Sequence, residues 1–350
     1  MPTIQLISAF LIGLVLVYVS IPVIVRISKE KHLYDEPNER RIHKVVIPNL
    51  GGVAIFIGIS IATLLSLHQF EFIEFRYIQA SLIILFFIGI KDDILIISAR
   101  KKFIAQIICA LILIIPGGIR FTNLHGILGL YEINYISSVL ITLLAIVSII
   151  NATNLVDGID GLAASIGIFS SIIFGIKFLI TSNDDYAILC CAITGSLLAF
   201  LWFNVYGSTN KIFLGDTGSL ILGLLIAVMV IQYNQFALAT TPQEISFSPV
   251  FSLAILATPL ADMIRVFAIR IHKGKSPFAP DMNHIHHRLL KLGFSHFSST
   301  LIIVLTNGFI ITLAFAFRFL NKHALMALLI VVIFLLLQLP DLFLKRKKTI

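Results

Sequence analysis

Apolar stretches of about 20 residues, the length an α-helix needs to cross a bilayer, recur along this chain from end to end. In hydrocarbon every backbone N–H and C=O must be paired within the chain, so repeated stretches of this kind restrict the fold to packed helices or a closed barrel. The runs are long and continuous instead of alternating in polarity, which selects helices. With 58% hydrophobic and 13% charged residues, the chain reads as an all-α polytopic membrane protein. Its polar stretches are too short for a separate soluble domain and no internal repeat is visible, so residues 1–350 are expected to form one membrane domain.

Eleven spans are expected, near residues 4–27, 50–68, 77–90, 103–119, 136–152, 162–180, 186–203, 212–232, 249–269, 299–318 and 323–340. The fourth is the weakest, being short and ending at Pro116-Gly117-Gly118. The first follows an N-terminus without Lys or Arg and lacks a small-residue cleavage pattern, so it reads as a retained helix. An odd count puts the termini on opposite sides. Lys29, Lys31, Arg40, Arg41 and Lys44 in the first loop, Lys91 and Arg100 to Lys102 in the third, Arg270, Lys273, Lys275, Arg288 and Lys291 in the ninth, and the tail 345–348 hold most of the basic residues. The positive-inside rule makes these segments cytoplasmic, with the N-terminus outside. The formal charge of +8 thus orients the chain; no basic stripe with interleaved aromatics suits nucleic acid. Cys109, Cys190 and Cys191 fall inside apolar runs and support neither a disulfide framework nor a metal knuckle.

Four polar motifs interrupt this lipid-like chain: Lys91-Asp92-Asp93, the stretch Asn151 to Gly161 with Asn154, Asp157 and Asp160, the stretch Phe213 to Ser219 with Asp216, and His284-Ile-His286-His287-Arg288. With eleven spans, all of them meet at the cytoplasmic face. A charged side chain at the centre of a spanning helix costs roughly 2.5–3.5 kcal/mol, so several of them argue for use. Five aspartates among basic residues describe a site for a hard cation that bridges phosphate oxygens, as magnesium does. The bland alternative is that they cap helix starts and balance positive loops. The Gly215 to Ser219 stretch opens a span where backbone N–H groups could receive a phosphate, or where small residues simply pack. The three histidines could bind zinc, but without a nearby Cys, phosphate contact by them and Arg288 is preferred. Asp262 and Arg265, three apart, read as a structural intrahelical pair. An ion-coupled transporter is the rival class, but its acids would sit mid-span, not at inner ends.

The ordered set Asp35-Glu-Pro37-Asn38, Arg41-Ile-His43, Gly51-Gly52, Asp92-Asp93, Ser98-Ala-Arg100-Lys-Lys102, Asn151 to Leu162, Lys211 to Ser219, and Gly274-Lys-Ser276-Pro277-Phe278 with Asp281 and His284 to Arg288 resembles the bacterial polyprenyl-phosphate N-acetylhexosamine-1-phosphate transferases of glycosyltransferase family 4. The His-Ile-His-His-Arg form resembles the undecaprenyl-phosphate N-acetylglucosamine-1-phosphate branch. The phospho-N-acetylmuramoyl-pentapeptide branch typically has three histidines followed by an acid, and this chain has Arg288 and two leucines there. Asn49, in place of a basic or hydroxyl residue, and the lone Arg270 depart from common patterns.

The resemblance implies transfer of a sugar-1-phosphate from a UDP-sugar to undecaprenyl phosphate at a plasma (inner) membrane, with release of UMP. The product would initiate a cell-surface polysaccharide such as O-antigen or a teichoic acid. It implies Mg2+, with Mn2+ as a substitute, held by Asn154 and Asp216. Asp92 and Asp93 are implied near the lipid phosphate, and Asp157 and Asp160 as further catalytic acids. Phe213 would stack on uracil, Asn204 contact the nucleotide, and Lys102, His284, His286, His287 and Arg288 hold phosphate charge. A homodimer is compatible with the resemblance. Direct attack by the lipid phosphate and a route through an enzyme carboxylate both fit the residues, with direct attack preferred because two bound substrates and one metal already align it.

Overall fold

The computed structural model describes residues 2–33, 47–67, 72–95, 97–276 and 282–349. Asp35 to His43 and Pro277 to Asp281 of the motifs above lie outside them. Thirteen helices are formed among the described residues: α1 (Pro2–Glu30), α2 (Gly51–Ser66), α3 (Phe75–Leu95), α4 (Ala99–Ile114), α5 (Tyr135–Val156), α6 (Leu162–Ile180), α7 (Asp184–Tyr206), α8 (Gly215–Ala237), α9 (Pro242–Ile255), α10 (Ala257–His272), α11 (Ile285–Leu292), α12 (His296–Ala316) and α13 (Lys322–Thr349). A small antiparallel hairpin, β1 (Asn123–Ile127) and β2 (Leu130–Glu132), joins α4 to α5. The all-α polytopic class holds, and each expected span coincides with helix.

Seven of these helices are long and apolar enough to cross a membrane, and α9 with α10 make an eighth if taken as one bent span. Of the others, α2 and α4 have only 16 residues each, and α3 carries Lys91-Asp92-Asp93 within its last five residues. The ninth expected span is not a single helix. It breaks at Leu256, where α9 and α10 meet at 65°. A break at membrane depth frees backbone groups that lipid cannot satisfy. Asn307 of α12, 1% exposed, meets the need: its Nδ2 donates to Ile255 O at 2.7 Å and its Oδ1 accepts from Thr258 N at 3.2 Å.

The helices pack in order of burial. In α8, 89% of the apolar window is buried, against 22% in α1 and in α13, so α8 is the axis and the terminal helices face lipid. Helices approach closely in membranes where side chains are small. A Cβ on Gly52 of α2 would lie 2.2 Å from Gly218 N, and one on Gly89 of α3 would lie 2.3 Å from Thr217 Cα. These two glycines let α2 and α3 press backbone to backbone on the first turn of α8. Because successive spans alternate in direction, the ends of α3, α5, α7 and α10 and the starts of α4, α6, α8 and α12 gather at one end of the bundle. The hairpin, the start of α9 and the start of α13 lie at the other. Lys322 of α13 donates to His125 O in the hairpin, and Leu128 N donates to His323 Nε2 at 3.0 Å.

Candidate active site

The site is organised around the first turn of α8. Gly215 has φ +74° and a Cβ there would lie 2.0 Å from Asn49 O, so the turn tolerates only glycine. Asp216 follows and its Oδ1 accepts from Lys102 Nζ at 3.1 Å and from Asn154 Nδ2 at 2.7 Å. Asn154 Nδ2 also donates to Ser219 Oγ at 2.8 Å. Three segments distant in sequence, the end of α5 and the starts of α4 and α8, are thereby joined at one carboxylate.

The two adjacent aspartates of α3 point to different partners. Asp92, 7% exposed, accepts from Lys102 Nζ at 2.7 Å through Oδ2 and from Ile97 N at 2.6 Å through Oδ1. Asp93 accepts from Asp216 N at 2.7 Å and from Thr217 N and Oγ1 at 3.1 and 2.6 Å. A carboxylate on the first free N–H groups of a helix is a capping arrangement, here supplied by another helix. Of the two readings of this turn, the structure favours packing over phosphate binding: the N–H groups of Asp216 and Thr217 are occupied by Asp93.

Between α5 and α6, Asp157 and Asp160 occupy opposite electrostatic conditions. Burial, then the charges of Asp216, Asp93 and Asp160, push the Asp157 carboxyl well above the usual carboxylate range. For Asp160 burial acts in the same sense but is outweighed: His296 at 3.5 Å and Lys211 at 2.7 Å hold its carboxyl below the ordinary value. Asp160 is therefore ionised and paired, whereas Asp157 sits where negative charge is in excess.

A cavity of about 790 Å³ opens beside Asn154. Its basic lining comes from Arg100, Lys102 and Arg270, and its apolar lining includes Phe103, Phe267 and Leu220. His284, His286 and His287 line it as well. His284 Nδ1 lies 2.8 Å from Asp262 Oδ2. His286 is 2% exposed, its ring packs on Gly158, where a Cβ would meet Nε2 at 2.2 Å, and its Nδ1 is buried without a hydrogen-bond partner. Burial, then the neighbouring His287, His284 and His296, lower its pKa to about 3, so His286 is a neutral imidazole that accepts or donates one hydrogen bond and carries no charge for a phosphate.

Of the expected site residues, Lys102, Asn154, His284, His286 and His287 line this cavity; Asp92, Asp93, Asp157, Asp160 and Asp216 lie outside its lining, and so do Arg288, Asn204 and Phe213. Arg288, 3% exposed, donates to Leu337 O at 2.7 Å and to Asp341 Oδ2 at 2.8 Å, both on α13. Asn204 accepts from Gly161 N at 2.6 Å and donates to Ile212 O at 2.8 Å, bracing the loops that flank Asp160 and Phe213. Phe213 is half-buried; its backbone pairs with Pro48 O and Gly51 N at 2.9 Å each. Conversely, Gln106 and Asn151 line the cavity and were not singled out, although they pair at 2.7 Å. The signal was present: Gln106 is a lone amide in the apolar part of α4. Asp262 and Arg265 do pair, at 3.7 Å, but within a larger network.

Asp216 and Asn154 supply hard donors side by side, and Asp157 marks a local shortage of positive charge. Among the described residues no three His, Cys, Asp or Glu side chains are grouped to hold a metal by themselves. That donor set suits magnesium, which takes few protein ligands and completes its shell with water and phosphate.

A profile of glycosyl transferase family 4 matches residues 75–234, which carry the whole Asp92 to Asp216 constellation. The chain is 32% identical over 313 residues, 89% of its length and 84% of the other's, to a Bacillus subtilis (strain 168) protein named probable undecaprenyl-phosphate N-acetylglucosaminyl 1-phosphate transferase. The chain belongs to glycosyl transferase family 4. It is also 30% identical over 304 residues, 86% of this chain and 80% of the other, to the undecaprenyl-phosphate alpha-N-acetylglucosaminyl 1-phosphate transferase of Salmonella typhi. The same name belongs to an Escherichia coli (strain K12) protein 30% identical over 288 residues, 80% of this chain and 75% of that one. Within the family match lie Lys102, Asn154 and Asp216, the three side chains that the fold brings into direct contact.

Proposed function

We propose that this protein transfers N-acetylglucosamine-1-phosphate from UDP-N-acetylglucosamine to undecaprenyl phosphate, releasing UMP, in the plasma membrane. The observation that carries the proposal is the Lys102–Asp216–Asn154 contact at the edge of a cavity whose lining is both cationic and aromatic. A phosphorylated lipid and a nucleotide sugar need such a combination, with charge for phosphates and apolar surface for a chain. The excess of Lys and Arg in the loops at this end supports a cytoplasmic site with the N-terminus outside. A homodimer rests on the resemblance alone.

Asp216 and Asn154 hold magnesium in this proposal, with manganese as a substitute. When bound, the ion neutralises charge on the donor pyrophosphate and so favours departure of UMP. Lys102 and Arg100 attract the phosphates, and Arg270 extends the positive lining. Asp92 fixes the Lys102 ammonium, and Asp93 fixes the helix turn that presents Asp216. Both oxygens of Asp92 and of Asp93 are already engaged by protein donors, which favours direct attack of the lipid phosphate over formation of an enzyme ester. Phosphate monoesters are largely ionised near neutral pH, so the acceptor gains little from a base. Asp157 is a carboxyl near the site whose proton affinity is raised by burial and by the negative charge around it. His286, being neutral, suits an uncharged part of the donor such as a sugar hydroxyl or amide.

Purified protein in detergent with magnesium, UDP-N-acetylglucosamine and undecaprenyl phosphate tests the proposal. The expected products are UMP and a lipid carrying the sugar through a pyrophosphate, read by mass spectrometry. A product lacking the sugar's own phosphate, formed with release of UDP, overturns it.

A further inference from the structure

The histidines that line the cavity sit on a segment whose anchoring comes from outside the family match. Asp262 of α10, 1% exposed, accepts from Ile285 N at 3.0 Å and faces His284 Nδ1 at 2.8 Å, fixing the start of α11. Arg265, one turn on, donates to Asn283 O at 2.8 Å, just before His284, and to Asp341 Oδ2 at 3.2 Å. Arg288, at the end of the histidine motif, donates to the same Asp341 oxygen at 2.8 Å. One carboxylate of the last helix thus joins the two arginines that grip the histidine segment before and after its rings.

We propose that Asp341 is a positioning residue for the donor substrate: by holding Arg265 and Arg288 it sets where His284 and His286 meet the cavity. Several features support an assignment distant from the chemistry. Arg265 and Arg288 carry like charge, and Asp341 is the carboxylate that both reach by hydrogen bond. Without the Asp341 charge the nearest anion left to the two cations is Asp262, 3.7 Å from Arg265 and 3.9 Å from Arg288 and already engaged by Ile285 N and His284, so the pair is under-compensated and the segment that carries it moves. Asp341 is also the only acid in the apolar run of α13, a place where a carboxylate is expensive unless used. Its side chain keeps 34% exposure, so the neutral amide fits without a packing change. What moves is the ring placement of His284 and of His286, stacked parallel 5.7 Å apart on the cavity wall.

The inference rests on the proposed transfer only where it speaks of substrate, so the test has two independent arms. In the first, steady-state kinetics with UDP-N-acetylglucosamine compare the parent, Asp341→Asn and Asp341→Glu. The expectation is a KM for the donor raised roughly tenfold in Asp341→Asn, a much smaller change in kcat, and substantial recovery in Asp341→Glu. In the second, diethyl pyrocarbonate labels histidines and peptide mass spectrometry follows the 284–287 segment, which requires no turnover. Faster labelling of that segment in Asp341→Asn, restored by Asp341→Glu, is expected. Unchanged labelling overturns the proposal whatever the kinetics. An unchanged donor KM with only a lower melting temperature or active fraction also overturns it, because that is what a purely structural contact does. If the parent shows no transfer while labelling shifts as expected, the positioning role stands and the proposed function falls.

Discussion

At the far end of the bundle, Lys177 of α6 donates to Glu244 at 2.7 Å and lies 5.1, 5.7 and 6.0 Å from the ring centres of Phe251, Tyr233 and Phe247. Tyr233 donates to the same Glu244 oxygen at 2.7 Å, and the adjoining cavity measures only about 200 Å³. At the site end, Lys102 serves Asp92 and Asp216 together, Asp157 faces surplus negative charge, and the cavity is about four times larger. Both ends use one lysine among carboxylates in a low-dielectric setting. The far end closes its charges on each other and on aromatic faces, which fixes helices α6, α8 and α9 in place. The site end leaves charge unbalanced beside open space, the condition under which a cation and phosphates bind.

The largest expected effect that separates the two ends is at Asp216. Asp216→Asn keeps the size and one acceptor but removes the charge facing Lys102 and Asn154, and turnover should fall by roughly 100-fold or more. A pure capping role leaves Asn almost as good. Turnover and magnesium dependence measured on protein shown to be folded decide it: near-normal turnover at unchanged magnesium demand erases the contrast between the ends.

Lys177→Met should behave the opposite way. It strands Glu244 in a partly buried setting, which costs roughly 2–4 kcal/mol, so the melting temperature in detergent should drop. The donor KM of the folded fraction should not change. A raised KM with unaltered melting temperature would show that the far end takes part in binding.

The smallest effect concerns His286. Its folded pKa of about 3 lies below the ordinary 6.5, so between those values the unfolded chain takes up a proton that the folded protein does not. The stability this group contributes is complete above pH 6.5 and is lost as pH falls, by about 1–2 kcal/mol at pH 5. In His286→Gln the decline in melting temperature between pH 7 and pH 5 should be shallower than in the parent. An equal decline in both would place the ring in contact with water, contrary to its seat on Gly158.

Much of the fold was legible because lipid leaves few choices. Unbroken apolar runs marked where helices form, seven of them among the described residues long and apolar enough to cross a membrane, and the basic loops suggested an orientation. What was misjudged involved contacts between helices. The break at Leu256 had a local signal that went unread, since Pro259 has no N–H to donate to Ile255 O four residues back; what the sequence did not announce is that Asn307, more than 50 residues away, takes that carbonyl instead. The α8 turn was open to two readings, a phosphate cradle or plain packing, because its glycines and hydroxyls suit both. Only packing brought Asp93 from α3 onto its N–H groups. Arg288 stands inside a histidine motif and was expected at the phosphate, yet its Nη1 donates to a carbonyl and a carboxylate of α13.

The sequence by itself determined the membrane class and pointed to the gathering of the acidic and histidine motifs at one end, since hydropathy and residue chemistry are local properties; Asn154 and Asp216 as the candidate ligands came from the family resemblance. The tertiary structure decided which charges face a cavity and which are consumed by neighbouring helices. Partners such as Asp341, Lys102 and Asp93 lie up to about a hundred residues or more from what they hold, and a hydrogen bond is set by distance in space, for which position along the chain carries no information.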